Sequence, residues 1–346
     1  MEHRKPNIKL YNVPWSTDEF NGMPYRLIGR SGLRGSNIGL GTWKVGYPET
    51  GDGARVNEKT ALEIFDRAIE LGVTFWDTAN RYNGASGNSE RVIGTWMGKN
   101  PDQRRNVVLA TKLFGGMDGR TPNHSRLSRG NILESVYASL ERLQVDYIDL
   151  LYFHAFDPIT PIEESLAATE DLIRQDLVRH LGVSNFTIEQ LSLFEANTSI
   201  RCRVIAVQNQ FDILNGESPS YPRVLNYADF KGISFIAWSP LARGLLTERY
   251  LDLTKVGPGH RLYDEGTIED INDIILEKLK KLAALAHELD LELNQLAIAY
   301  MLTLPGMGPV ISSVSSIQQL ESNAAAGKVI LTDNHRERVK EILEIR

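Results

Sequence analysis

Val73-Thr-Phe-Trp-Asp77-Thr-Ala-Asn-Arg-Tyr82-Asn-Gly84 is a short apolar run that ends on an acid and is followed, five residues later, by a phenol. Two further runs end in the same way. Ala110-Thr-Lys112 closes on an ammonium, and Leu150-Leu-Tyr-Phe-His154 closes on an imidazole. Buried parallel strands read as apolar runs of this kind. In a closed α/β barrel every strand finishes at one rim, so Asp77, Lys112 and His154 would meet there, with Tyr82 on the adjoining loop.

Working outward, strand-like and helix-like patterns alternate. The strands are expected at 38–41, 73–77, 106–111, 147–153, 180–183, 204–208, 233–238 and 308–311. Helices are expected near 58–71, 88–99, 130–142, 161–176, 187–196, 221–230, 271–289 and 294–303, with Ser315–Ala325 after the last strand and a final helix near 335–345. Asn57 and Ser128 or Asn131 suit helix N-caps. Eight such units make a (β/α)8 TIM barrel the economical reading, with a doubly wound sheet as the alternative. Tyr25 to Ser36 reads as a hairpin turned at Ser31-Gly32. Residues 1–24 are a polar arm, and 25–346 form a single barrel domain.

Bulk properties exclude several classes. The chain has 346 residues, 42% of them hydrophobic, enough for a large buried core. A net charge of −6 without a basic block argues against nucleic-acid binding. The single cysteine, Cys202, forms no internal disulfide and suits a reducing cytoplasm. No apolar run is long enough for a membrane span, and the N-terminus has no apolar signal core. No His/Cys/Asp/Glu spacing fits a metal site. Arg104-Arg105 and Lys280-Lys281 read as solvated charges.

The four residue types at the rim suit reduction of a carbonyl. A phenol can protonate an alkoxide, a lysine can lower the phenol's pKa, a carboxylate can hold the lysine, and an imidazole can orient the substrate oxygen. Taken singly, each has a plainer reading. Asp77 and Lys112 suit an ordinary buried ion pair, His154 a satisfied core histidine, Trp43 and Trp238 core aromatics, and Ser184-Asn185 a helix cap. As a set converging on one rim, the plain readings lose.

From Tyr25 to Asn323 the chain resembles the aldo-keto reductase superfamily, in the branch that also resembles potassium-channel β subunits and bacterial sugar or aldehyde reductases. Gly72-Val-Thr-Phe-Trp-Asp77-Thr-Ala with Tyr82, Ala110-Thr-Lys112, Asp146-Tyr-Ile-Asp-Leu-Leu-Tyr-Phe-His154 and Gly182-Val-Ser-Asn-Phe186 carry the likeness. The resemblance implies a reversible NAD(P)H-dependent reduction of an aldehyde or ketone, with Tyr82 as general acid. Lys112 and Asp77 would tune it, and His154 would hold the substrate oxygen. Gly41-Thr42-Trp43 would approach the cofactor ribose and pyrophosphate. Ser184, Asn185 and Gln208 would hold the carboxamide, and Trp238 would stack on the nicotinamide. Ser239, Leu241, Arg243, Arg249 and Arg261 would meet the phosphates. A different class of function, a cofactor-sensing channel subunit, is opposed by His154, where the channel subunits are similar elsewhere but carry an amide.

One departure bears on cofactor choice. Where the family places a glycine and a basic residue, this chain has Ser312, Ser313, Ser315, Ser316 and Gln319, and Ser322 replaces a frequent acid. Ser313, Ser315, Gln319 and Asn323 remain as cofactor contacts, and NADP(H) is expected ahead of NAD(H). The loops Phe114–Arg129, Asp212–Ser220 and Ser239–Asp270 follow strands and would set substrate choice. Trp43, Tyr82, Phe114, His154 and Phe156 are the expected substrate contacts, and aromatic groups beside hydrogen-bonding ones suit a small polar or sugar-like carbonyl. The basic group Arg120, His124, Arg126 and Arg129 suits an anion. No partner beyond this small molecule is implied, and oligomeric state is not legible.

Overall fold

The computed structural model describes residues 18–117 and 119–345. Its centre is a closed barrel of eight parallel strands: Ile38–Gly41 (β1), Phe75–Asp77 (β2), Val108–Leu113 (β3), Ile148–Phe153 (β4), Val178–Ser184 (β5), Val204–Asp212 (β6), Ser234–Trp238 (β7) and Met307–Ser313 (β8). Each pairs with its sequence neighbour, and β8 closes on β1 through Val310 beside Ile38 and Ser313 beside Gly41. This is the (β/α)8 TIM barrel that the alternating pattern implies.

Strand side chains alternate between faces, and the two cores record this. Phe75, Ala110, Leu150, Tyr152, Ala206, Ile236 and Ile311 fill the barrel. Trp76, Leu109, Leu113, Leu151 and Phe153 face the helices. Continuing the inward set by two residues reaches Asp77 on β2, Lys112 on β3 and His154 just past β4. The period of two therefore places three titratable groups in one layer at the C-terminal rim.

Helix starts are chemically specified. The Asn57 side chain accepts from Thr60 N–H ahead of Glu58–Glu70, and Ser128 accepts from Asn131 N–H ahead of Arg129–Leu143. Ser184-Asn185 caps no helix. Thr187 does so, in a capping box with Gln190. That removes the plain reading of the Ser-Asn pair.

The N-terminal mouth is plugged by a hairpin, Met23–Leu27 against Arg34–Ser36, with Tyr25 beside Ser36. Glu19–Phe20 pairs with it as a third strand, so the described part of the expected arm joins this sheet; residues 1–17 lie outside the described residues. Ile28 enters the barrel core. Gly29 has φ +57, and a Cβ there would stand 2.2 Å from the Ile205 carbonyl oxygen, so glycine is required.

Two expectations need correction. β6 runs to Asp212 rather than ending near 208, because its last residues pair with Gly216–Glu217 in a small hairpin. Arg104 is fully buried, not solvated. Its guanidinium donates to Val107 O, Tyr147 O and Asp149 Oδ2 at 2.7–2.8 Å and lies 3.9 Å from the Tyr147 ring centroid.

Helix Asn88–Lys99 packs on Arg129–Leu143 through Gly94, where a Cβ would fall 2.0 Å from the Arg142 carbonyl oxygen. Gly94→Ala is expected to cost about 1–3 kcal/mol by overpacking, read as a lower urea midpoint. An unchanged midpoint would show that these helices part freely.

Candidate active site

Lys112 sits at the centre. Its Nζ lies 2.5 Å from Asp77 Oδ1, 2.8 Å from Tyr82 Oη and 2.9 Å from the Thr78 carbonyl oxygen. Lys112 and Asp77 are each 1% exposed. Asp77 Oδ2 accepts from Gln208 Nε2 at 2.8 Å, and the Tyr82 hydroxyl approaches Asp77 Oδ1 at 3.4 Å. The Tyr82 and His154 rings are 6.1 Å apart and nearly perpendicular. All four residues expected at the rim are thus brought together. Gln208 joins them through Asp77, so its Nε2 is engaged there.

The loop that carries Tyr82 is sharply turned. Asn83, Gly84 and Ala85 all have positive φ, and Asn83 Nδ2 donates to the Val45 carbonyl at 2.6 Å. Positive φ at non-glycine residues is costly and collects at functional sites. Behind the loop, Ser89 Oγ bonds Thr42 Oγ1 (2.8 Å) and Thr78 Oγ1 (2.9 Å), tying β1 to β2.

Burial governs the electrostatics. It raises the Tyr82 phenol well above 10, and the Asp77 carboxylate adds to the rise. This corrects the expected lowering by Lys112. Burial also pulls the Lys112 ammonium below the usual lysine value, while Asp77 opposes the fall. His154 drops from 6.5 to about 3, first through burial and then through the charges of Lys112 and Arg81. At neutral pH the rim therefore holds a protonated phenol and a neutral imidazole.

The His154 shift has a pH consequence. Its folded value is about 3 against 6.5 unfolded, so between them the unfolded chain binds the extra proton. This contribution to stability is intact above 6.5 and is lost as pH falls toward 3. His154→Asn is expected to flatten that acid limb in urea titrations. An identical limb in wild type and variant would assign it to other groups.

Around the rim, Ser184 lies beside Gln208 in register, and Asn185 Nδ2 reaches Ser184 Oγ (3.1 Å) and the His154 carbonyl (3.0 Å). Trp238 is half-buried at the end of β7. Ser239, Ala242 and Arg243 after it all have positive φ. Trp43 is 36% exposed rather than a core aromatic. It carries Lys44 Nζ at 3.9 Å and the Arg261 guanidinium at 4.9 Å from its ring centroid. Glu265 pairs with both Arg243 and Arg261, whereas Arg249 is exposed outside this cluster.

The polar run after β8 is partly self-satisfied. Gln319 Oε1 accepts from Ser315 N–H (2.8 Å) and Oγ (3.1 Å). Asn323 is buried and bonds Ser312 Oγ and Asn294 Nδ2 at 2.9 Å each. Ser322 Oγ donates to the carboxylate of Glu292, the N-cap residue of helix Leu293–Leu302. Ser313 stays exposed beside Gly41, where a Cβ would fall 2.6 Å from Ser313 Oγ. These features fit a nicotinamide dinucleotide: a glycine held bare by a close neighbour, amide donors and acceptors beside a half-buried indole, and a turned backbone flanked by arginines.

On the substrate side, Phe114 is partly buried just after β3, in a segment whose Gly116 carbonyl accepts from Arg81, the neighbour of Tyr82. The Phe156 ring packs edge-on against Phe186 (5.6 Å) and Phe194 (6.2 Å), which fixes its position. Of the basic group, Arg129 meets Asp171 at 2.7 Å, Arg126 meets Asp157 at 3.5 Å, and His124 Nδ1 lies 2.9 Å from Glu134 Oε2.

Sequence reading did not single out Tyr152 or Asn80. Tyr152 is a second phenol, one layer below His154, and its position two residues before His154 gives it away. A Cβ on Gly182 would stand 2.5 Å from its ring. Asn80 is fully buried, and neither of its amide atoms has a partner among the described residues; no sequence signal marks it.

Comparison with known proteins agrees with this barrel. The model of the aldo/keto reductase family matches residues 37–344, and the chain belongs to that family. It is 31% identical over 314 residues to a probable voltage-gated potassium channel subunit beta of Oryza sativa subsp. japonica, covering 89% of this chain and 92% of the relative. A protein of the same description from Arabidopsis thaliana is 31% identical over 335 residues, covering 93% and 97%. Aldo-keto reductase AMT2 of Alternaria alternata is 29% identical over 342 residues, covering 92% and 90%. The protein is accordingly an NAD(P)H-dependent oxidoreductase of the carbonyl-reducing kind. Among the described residues, no helix is long and apolar enough to cross a membrane, and no group of three or more metal-ligating side chains converges.

Proposed function

We propose that this chain reduces a small polar or sugar-like aldehyde or ketone in the cytoplasm, with Tyr82 as general acid and NADPH as the preferred cofactor. One observation carries the reading: Lys112 Nζ lies within hydrogen-bond reach of both Tyr82 Oη and Asp77. A nicotinamide held beside Trp238, Ser184 and Asn185 would supply the hydride for the carbonyl carbon. The Tyr82 hydroxyl gives its proton to the carbonyl oxygen, so the product is an alcohol. The phenolate left behind is balanced by Lys112, whose charge Asp77 orients. Neutral His154 offers a hydrogen bond to the same oxygen without competing for the proton. Asp77, in turn, is held by Gln208.

Ser184 and Asn185 are suited to the carboxamide, Trp238 to the nicotinamide ring, and Arg243 and Arg261 to the phosphates. Ser313, Ser315 and Gln319 offer hydroxyl and amide groups to the adenosine phosphate, with no ion-pairing cation in the 312–319 run. Preference for NADPH over NADH is therefore expected to be modest, about tenfold or less. The substrate reading rests on the open mix of Trp43, Phe114 and polar loops. Steady-state rates with short hydroxyaldehydes and with long apolar ketones test it, and a strong preference for the ketones would overturn it.

A second reading, a cofactor-sensing channel subunit, draws support from the two plant relatives so described. Under that reading cofactor binds without appreciable turnover of any carbonyl.

A further inference from the structure

The end of the barrel opposite Lys112 carries a second constellation. β5, β6 and β7 begin there, and the hairpin turn at residues 29–33 lies across them. The Gly29 N–H donates to Ser234 Oγ at 2.8 Å, and Arg30 packs on Gly232, where a Cβ would fall 2.4 Å from its Nε. Two adjoining cavities of about 310 and 290 Å³ open on this face and share Arg30, Ile200 and Arg203. Every ionisable residue lining the smaller one is basic: Arg30, Arg179, His180, Arg201 and Arg203. The larger adds Lys231 against a single carboxylate, Glu195.

The fold does not account for this charge. The chain's net charge is −6, so a basic cluster runs against the overall balance. Several exposed arginines elsewhere have close acidic partners: Arg67 meets Glu70 and Arg129 meets Asp171 at 2.7 Å, and Arg338 meets Glu288 at 2.6 Å, although Arg55 meets Asp264 only at 3.6 Å. Here Arg179 has only looser partners, Asp149 at 3.4 Å and Asp176 at 3.7 Å, and Lys231 has Glu195 at 3.8 Å. No carboxylate among the described residues pairs with Arg30, Arg201 or Arg203. Arg30, Arg201 and Arg203 are exposed; like charges gathered around a concave space repel one another, and a bound anion relieves the repulsion.

The geometry points to a binding site for a small phosphorylated anion on the N-terminal face, with Arg30, Arg201 and Arg203 as its principal ligands. Guanidinium forks match phosphoryl oxygens two at a time, and Thr198 and Ser199 line the larger lobe as neutral donors. Two lobes joined at Arg30 and Arg203 suit an anion with two charged groups. Concave lobes favour a small molecule over a nucleic-acid duplex, which the net negative charge elsewhere repels. The site lies at the far end of the barrel and is independent of the reduction proposed at the C-terminal rim.

The test is a calorimetric titration of the full chain with inorganic pyrophosphate, with and without saturating NADPH, so that binding at the cofactor rim is separated from binding here. The expected result is one saturable site that persists in the presence of NADPH. Affinity should fall about tenfold or more in Arg201→Ala/Arg203→Ala, with carbonyl turnover and circular dichroism unchanged. Arg203→Lys should retain part of the affinity, and Lys255→Ala, which alters an exposed lysine elsewhere, should retain all of it. Absence of saturable binding at millimolar pyrophosphate would overturn the proposal. So would equal losses in Lys255→Ala, or binding that vanishes with NADPH. Capture of polyglutamate but not pyrophosphate would also overturn it, in favour of an acidic protein partner.

Discussion

Replacing Tyr82 by Phe is expected to lower kcat for carbonyl reduction by ~10²–10⁴ while leaving the cofactor dissociation constant unchanged. The substitution removes one oxygen from a ring whose position is set by the turn at 83–85 and by the neighbouring His154, so packing is preserved. It removes the only hydroxyl within reach of Lys112 Nζ among the described contacts. Burial and Asp77 hold that phenol protonated far above neutral pH, so the acid is fully loaded across the physiological range. Single-turnover rates at saturating cofactor read the effect directly. A Tyr82→Phe enzyme as fast as wild type would assign the proton to another group, with Tyr152 and His154 next in line.

The second large effect is on stability. Lys112→Met deletes three contacts at once, to Asp77, Thr78 and Tyr82. The Asp77 carboxylate then remains buried with Gln208 as its chief donor. An uncompensated buried charge typically costs about 3–5 kcal/mol, which should appear as a lower urea midpoint with unchanged slope. Adding Asp77→Asn removes the stranded charge, so the double variant is expected to regain most of the stability and none of the activity. That pattern separates electrostatic support from catalysis. If the double variant were no more stable than Lys112→Met, the loss would lie in packing around the lysine stem.

The barrel was legible because its two periods are cleanly written. The runs at Phe75, Ala110 and Leu150 alternate inward and outward, and each ends on the residue that reaches the rim. Asp77, Lys112, Tyr82 and His154 follow from that alternation together with one loop. Side-chain partners were less legible, because strand ends say nothing about which neighbour an amide chooses. Gln208 turns to Asp77, and Arg104 looks like half of a solvated pair until the fold wraps Tyr147 and Asp149 around it. The direction of the Tyr82 shift escapes the sequence for a related reason. Sequence shows the lysine and the phenol but not the depth of burial, and here burial, with the Asp77 carboxylate beside it, raises the phenol. The turn at 83–85 and the orphaned amide of Asn80 are three-dimensional facts without a sequence signature.

The most direct test of the account is to titrate the purified protein with NADPH and NADH by tryptophan fluorescence, then add a short hydroxyaldehyde and follow loss of the reduced nicotinamide. The account predicts saturable quenching through Trp238, modestly tighter for NADPH, and steady turnover that Tyr82→Phe abolishes without changing the quench. Binding with no turnover of any carbonyl would contradict the catalytic role of the Tyr82–Lys112–Asp77–His154 set and favour a sensing subunit instead.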